Sequence, residues 1–206
     1  MSYQLWLGFM VACWVISVSP GAGAIASMSS GLNYGFRRGY WNALGLQLAL
    51  LVQIGIVAAG AGVLFATSPW AFLAIKWFGV GYLLYLAYLQ WRAPVQSIQI
   101  QQEQPTKSAA KLVLSGFLVN MSNPKAIVFL LAVLPQFLDL SRPQLPQYLI
   151  MALTMITIDL MVMAGYTGLA AKVLRLLRSP SQQKIMNRSF ATLFAGAALL
   201  LSLVHQ

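Results

Sequence analysis

Six stretches of the chain are apolar over lengths near the 17 to 25 residues, roughly, that a helix needs to cross a bilayer. They run from Leu5 to Met28, Trp41 to Ala66, Trp70 to Trp91, Leu112 to Leu134, Leu145 to Ala171 and Phe190 to Val204. The last is short, and would start near Ile185 if Arg188 snorkels to the head groups. Polar residues gather mainly in the gaps, so the expected fold is an all-α membrane protein of six transmembrane helices. The first run carries Ala22-Gly23-Ala24, which could pass for a signal-peptide cleavage site. No Lys or Arg precedes the run, however, and Arg37 and Arg38 would follow the cut closely, so it is read as a retained span.

Composition agrees. Hydrophobic residues make up 59% of the chain and charged ones 8%, with mean hydropathy +0.74, which excludes an ordinary soluble domain. The acids are Glu103, Asp139 and Asp159 alone, against a net charge of +10. In a soluble protein that charge would point to nucleic acid. Here it sits in alternate gaps: Arg37 and Arg38 in the first, Arg92, Lys107 and Lys111 in the third, Lys172, Arg175, Arg178, Lys184 and Arg188 in the fifth. The fourth gap holds Asp139 and a single basic residue, Arg142. The positive-inside rule therefore turns the odd gaps to the cytoplasm and both termini outward, and no nucleic-acid partner is expected. Trp6, Trp41, Trp70, Trp91 and Tyr148 lie near span ends, where interfacial aromatics belong.

The glutamine-rich gap from Arg92 to Lys111 reads as a cytoplasmic linker between two halves of three spans, residues 1–91 and 112–206. An odd number of crossings inverts the second half relative to the first, the arrangement of two inverted three-helix repeats found in transporters. Gly8-Phe9 ahead of Pro20 and Gly116-Phe117 ahead of Pro124 are a modest echo between the halves. Coincidence between two apolar helices of similar composition is the alternative.

The chemistry concentrates where proline interrupts the first and fourth spans. Ser17-Val18-Ser19-Pro20-Gly21-Ala22-Gly23 lies deep in the first; Pro20 removes a donor, and Gly21 and Gly23 permit unwinding. Peptide groups freed there must face protein or a wet cavity, and N–H groups at a half-helix N-terminus suit a carboxylate. The alternative is a tolerated kink. In the fourth span, Asn120, Asn123, Pro124 and Lys125 form the counterpart, with an ammonium that needs a partner, a cavity or an interface. Snorkelling is its bland alternative. Asp159 is the one carboxylate inside an expected span and a candidate for proton or cation coupling, with a structural ion pair to Lys125 as its alternative. Gln47, Asn42 and Tyr166 add hydrogen-bonding groups. Gly45, Gly55, Gly60, Gly62, Gly165 and Gly168 are expected to be close-packing positions.

An enzyme lacks its parts: the single histidine is His205, the second-last residue, Cys13 lies in an apolar run with no base nearby, and no metal-ligand spacing or phosphate-cradling loop occurs. No cofactor is expected.

The motifs Ser19-Pro20-Gly21-Ala22-Gly23, Asn123-Pro124-Lys125 and Pro135-Gln136-Phe137 resemble those of the LysE/RhtB amino-acid exporters, in particular the homoserine and homoserine lactone efflux branch. The resemblance spans nearly the whole chain, through Gly45-Leu46-Gln47, Lys76-Trp77, Tyr82-Leu83, Gln90-Trp91-Arg92, Ile127-Val128-Phe129 and Asp159. The family commonly has a proline where Ala22 stands. The resemblance implies secondary export of small amino acids or derivatives, of the homoserine, homoserine lactone and threonine class, across the bacterial inner membrane by proton antiport. On this reading Ser19, Pro20, Gly21, Gly23, Gln47, Asn120, Asn123, Pro124 and Lys125 would bind substrate, and Asp159 would carry the proton. A passive channel or a non-transporting assembly subunit is the rival, and the sequence leaves a homo-oligomer open.

Overall fold

A residue that precedes proline is driven out of helical geometry, and proline is at home in the first turn of a new helix. Both rules operate in this computed structural model, which describes residues 1–67, 69–93, 107–139, 141–170 and 180–203. Helix α1 (Tyr3–Val18) starts on Ser2, whose hydroxyl accepts from Leu5 N at 3.2 Å, and stops where Ser19 turns extended (φ −65°, ψ 120°) ahead of Pro20. Helix α2 (Ala22–Thr67) follows, then α3 (Pro69–Arg92). Helix α4 (Ala109–Met121) begins on the Ser108 cap. Asn123 then caps α5 (Pro124–Val133), its side chain accepting from Lys125 N at 3.1 Å with Pro124 in the first turn. A 3₁₀ turn (Leu134–Phe137), α6 (Gln144–Gly168) and α7 (Pro180–Leu203) complete the order. Among the described residues there is no strand. Most of the expected linker, Glu103, three basic residues of the fifth gap (Lys172, Arg175, Arg178) and His205 lie outside the described residues.

Several expected boundaries are corrected. The helix after the Pro20 break runs past Met28, where the first apolar run ends, and the gap holding Arg37 and Arg38 is helical. Its turn is a single residue, Gly35, at φ 71° and ψ 172°, a conformation essentially restricted to glycine. The arms of α2 on either side fold back so closely that a Cβ on Gly39 would lie 2.6 Å from Ser30 O. Reading by apolar runs ends a span at the arginines and cannot see a turn with no loop. The final helix starts at Pro180, earlier than its apolar run, and Arg188 stacks over Trp91 at 5.2 Å. Tyr148 is buried instead of marking an interface.

Two of the described helices, α2 and α6, are long and apolar enough to cross a membrane, or three spans if α4 and α5, bent by 57° at their break, count as one. The main packing is between α2 and α4, α2 and α6, and α3 and α7. Small residues set the first two. A Cβ on Gly45 would meet Val113 O at 2.0 Å, one on Gly116 would meet Asn42 O at 2.0 Å, and one on Gly31 would meet Thr167 O at 2.1 Å. The helices thus touch backbone to backbone, where dispersion and interhelical hydrogen bonds replace a hydrophobic drive that lipid does not supply. Asn42 Nδ2 adds a bond to Leu112 O at 3.3 Å. The glycine expectation holds at Gly45 and at Gly168, which lies against Phe36, and fails at Gly55, Gly60 and Gly165, which have open space; Gly62 is outside the described surroundings.

The connection between α5 and α6 is tied by Gln147, which is buried. Its Oε1 accepts from Asp139 N and its Nε2 donates to Asp139 O, both at 2.8 Å. The Ser141 hydroxyl donates to the Asp139 carboxylate and, with the Ser141 N–H and Arg142 at 3.1 Å, holds that carboxyl below its ordinary range.

Gly45→Val is expected to lower stability by about 1–3 kcal/mol through overpacking against the α4 backbone, whereas Gly55→Ala is expected to be neutral or slightly stabilising. Thermal unfolding of the two variants in detergent, followed by size-exclusion fluorescence, checks the contrast.

Candidate functional site

The breaks after α1 and after α4 bring four helix ends together. The C-terminal carbonyls of α1 have lost their donors, and Lys125, in the first turn of α5, supplies them: its Nζ donates to Ser19 O at 2.6 Å and to Ile16 O at 3.0 Å. A cation at a helix C-terminus also meets the negative end of the helix dipole. Tyr166 of α6 closes the same end, its hydroxyl donating to Val18 O at 2.6 Å. Lys125 Nζ further lies 5.8 Å from the Phe194 ring centre. Gly21 makes room for this, since a Cβ there would be 3.3 Å from Lys125 Cδ.

Beside the ammonium lies a cavity of about 60 Å³, lined by polar groups from both breaks and by Asp159. A volume of that order suits a few water molecules. Ser19, Gly21 and Gly23 line it from the first break; Asn120, Asn123 and Lys125 line it from the second. Gly21 stands at the N-cap position of α2, its carbonyl accepting from Ile25 N at 2.9 Å, and offers no side chain to the first peptide N–H groups of that helix. Asn123, at the N-cap of α5, lines the same cavity. The cavity therefore has two helix N-termini on its wall, an electropositive arrangement, with a carboxylate as the counterweight.

Asp159 projects from α6, where Gln47 of α2 donates to its Oδ2 at 2.5 Å. Asp139–Arg142 is the ion pair formed among the described residues, so the structural pairing of Asp159 with Lys125 is not made. Lys125 is satisfied by peptide carbonyls instead, and an ammonium has a third proton to offer. Asn120 is tied on three sides. Its Nδ2 donates to Leu46 O at 3.0 Å, its Oδ1 accepts from Asn123 at 3.3 Å, and its carbonyl accepts from Gln53 at 2.8 Å. The Ser17 hydroxyl lies beside the Asp159 carboxylate, and the Ser19 hydroxyl and the Oε1 of Gln47 are buried with no hydrogen-bond partner among the described residues.

Seven of the ten residues singled out in the sequence thus reach the cavity wall, and Gln47 reaches Asp159. Pro20 and Pro124 shape the backbone without lining the cavity, and the carbonyl of Pro124 accepts from Tyr82 at 3.1 Å. Sequence reasoning passed over Leu46, Leu50, Met155 and Met163, which form the apolar wall. Nothing in their local pattern separates them from other apolar positions.

The LysE type translocator family matches residues 14–204 of the chain. Over 204 residues the chain is 41% identical to an uncharacterized membrane protein of Vibrio cholerae, with 98% of each covered. It is 39% identical over 202 residues to a homoserine/homoserine lactone efflux protein of Salmonella typhimurium, again covering 98% of both. A leucine efflux protein of Enterobacter sp. (strain 638) is 26% identical over 199 residues, 96% of this chain and 94% of that one. No solved structure matches. With a match that runs nearly from end to end, and a polar cavity between interrupted helices of the kind transporters use, the chain belongs to the LysE family of membrane translocators.

Proposed function

We propose that the protein is a secondary active exporter of small amino acids or their derivatives, of the homoserine, homoserine lactone and threonine class, driven by proton antiport across the bacterial inner membrane. The observation that carries this reading is that groups of opposite charge line one cavity: Lys125, two helix N-termini and Asp159. A zwitterionic amino acid has the complementary pattern. Its carboxylate would be held by the third proton of Lys125 and the peptide N–H groups after Gly21, and its ammonium by Asp159 and the carbonyl or hydroxyl oxygens of Ser17 and Ser19. Asn120, Asn123 and Gln47 would orient it, and Met155, Met163 and Leu46 would meet its side chain. The cavity must widen to admit such a molecule, which alternating access would provide.

Proton coupling follows from the same residue. A carboxylate in an apolar setting is the group whose charge a substrate ammonium or a proton can each neutralise, so binding of one favours release of the other. The efflux named for the Salmonella typhimurium relative supports the substrate class.

We read the architecture as six transmembrane helices in two inverted three-helix repeats, residues 1–91 and 112–206 joined by a cytoplasmic linker, with the first and fourth helices broken at proline. Support comes from the equivalent order of elements. α1 with the first arm of α2 corresponds to α4 with α5, the second arm of α2 to α6, and α3 to α7. The whole-helix packing corresponds as well: one broken helix meets α6 through Gly31, after its break, and the other meets the second arm of α2 through Gly116, before its break. The charge distribution supports both termini in the periplasm.

Asp159→Asn is expected to abolish uphill, pH-gradient-driven efflux from proteoliposomes while leaving downhill exchange of labelled substrate measurable. Full proton-driven transport in that variant would sink the coupling role, and efflux insensitive to an uncoupler in the wild type would favour a passive channel. Lys125→Met should reduce transport by about tenfold or more, the order of a lost charged hydrogen bond, when initial rates are compared across a panel of amino acids and lactones. Tyr166→Phe removes a cap from α1 without touching the cavity. It should cost about 1 kcal/mol of stability in a thermal melt and keep transport.

A further inference from the structure

The second arm of α2 and the N-terminal half of α4 enclose, on the outer surface of the protein, a groove of about 360 Å³, several times the volume of the central cavity. Its walls are apolar throughout: Trp41 and Leu48 from α2, and Ala110, Val113, Leu114 and Phe117 from α4. Trp41, Leu48, Ala110 and Leu114 are exposed, so no other part of the described protein covers it. The small side chains of Ala109 and Ala110 hollow out one end.

That end is basic. The two helices run parallel here, since Asn42 bonds Leu112 O, Gly45 abuts Val113 and Asn120 bonds Leu46 O. Stepping back one turn from Trp41 therefore reaches the level of the start of α4. Arg37 is exposed and stands on the same helical stripe as Trp41 and Leu48, four and eleven residues on. Lys111, also exposed, flanks Ala110 and Leu114 in the first turns of α4, with Lys107 just ahead of the Ser108 cap. Neither described acid is near: Asp139 lies in the α5–α6 connection and Asp159 in the cavity. Trp41, between the basic end and the apolar trough, has the amphipathic ring that favours the head-group level.

We propose that this groove is a binding site for one anionic phospholipid, with an acyl chain lying between Trp41 and Phe117 and the phosphate held between Arg37 and Lys111. The charge selects this occupant over a second copy of the chain. A copy related by a twofold axis along the membrane normal would bring the same arginine and lysine to the same depth, like charge beside like. A phosphodiester supplies the missing negative charge, and each basic residue near the surface strengthens attachment to anionic lipid. The site is separate from the transport cavity and does not depend on what the protein exports.

The experiment is native mass spectrometry of the purified full chain, titrated with phosphatidylglycerol and with phosphatidylcholine of the same acyl chains. Phosphatidylglycerol is expected to bind about 25-fold more tightly, at about fivefold for each of the two basic residues. The exposed double substitution Arg37→Gln with Lys111→Gln should erase that preference. Ala110→Trp should block the groove and remove binding of phosphatidylglycerol, with the melting temperature in lipid-free detergent unchanged. Equal binding of the two lipids, or a preference that survives the double substitution, would overturn the proposal. So would a wild-type dimer that phosphatidylglycerol does not dissociate and that Ala110→Trp converts to monomer.

Discussion

A peptide group stripped of its helical partner inside a bilayer has no water to turn to, and the rest of this molecule is arranged around that constraint. At the end of α1 the carbonyls of Ile16, Val18 and Ser19 are answered by two side chains from the other half of the chain, Lys125 and Tyr166. The helix break is therefore not a local accident of Pro20. It is held open by residues more than a hundred positions away, and it ties the ends of the two halves together at the cavity. The start of α5 is answered locally, by Asn123, which frees Lys125 to reach across.

This division of labour gives the two proline motifs different jobs. Asn123-Pro124 begins a helix in the most favourable way available to a chain, with a capping amide followed by a ring already set at helical φ. Ser19-Pro20-Gly21 ends one helix and begins another with no local side-chain cap, leaving its acceptors to the distant Lys125 and Tyr166 and its donors to the cavity. The charged side chains of the cavity come from the second half, and the displayed backbone comes from the first.

Much of this was legible in the sequence, in proportion to how local each signal is. The helical membrane class, the unusual segments at Ser17–Gly23 and Asn120–Lys125, and Asp159 all stand out because polar, charged or ring-constrained residues are costly in apolar runs. What those residues touch was less accessible. Backbone carbonyls carry no residue-type signature, so the sequence does not show the partners of Lys125, and the ion pair with Asp159 that stood as the alternative is not formed. The Gln47–Asp159 contact joins residues 112 positions apart, and each was noticed without the pairing. Glycines misled for a related reason. Gly45 and Gly55 look alike in sequence, and only the neighbouring helix distinguishes a backbone contact from open space. Gly35 escaped notice because the charges beside it looked like a loop.

The turn at Gly35 also bears on how such a molecule could move. A loop of several residues has slack and lets the segments it joins swing independently; a turn made by one residue, with Gly39 pressed on Ser30, has almost none. The two arms of α2 are coupled like the limbs of a bracket, and a tilt of one is transmitted to the other. One arm carries Gly23 at the cavity and the other carries Gln47, so the bracket spans both sides of the site. Compliance is left to Pro20, between the last amide of α1 at Ser19 and the first carbonyl of α2 at Gly21, where the ladder is already open.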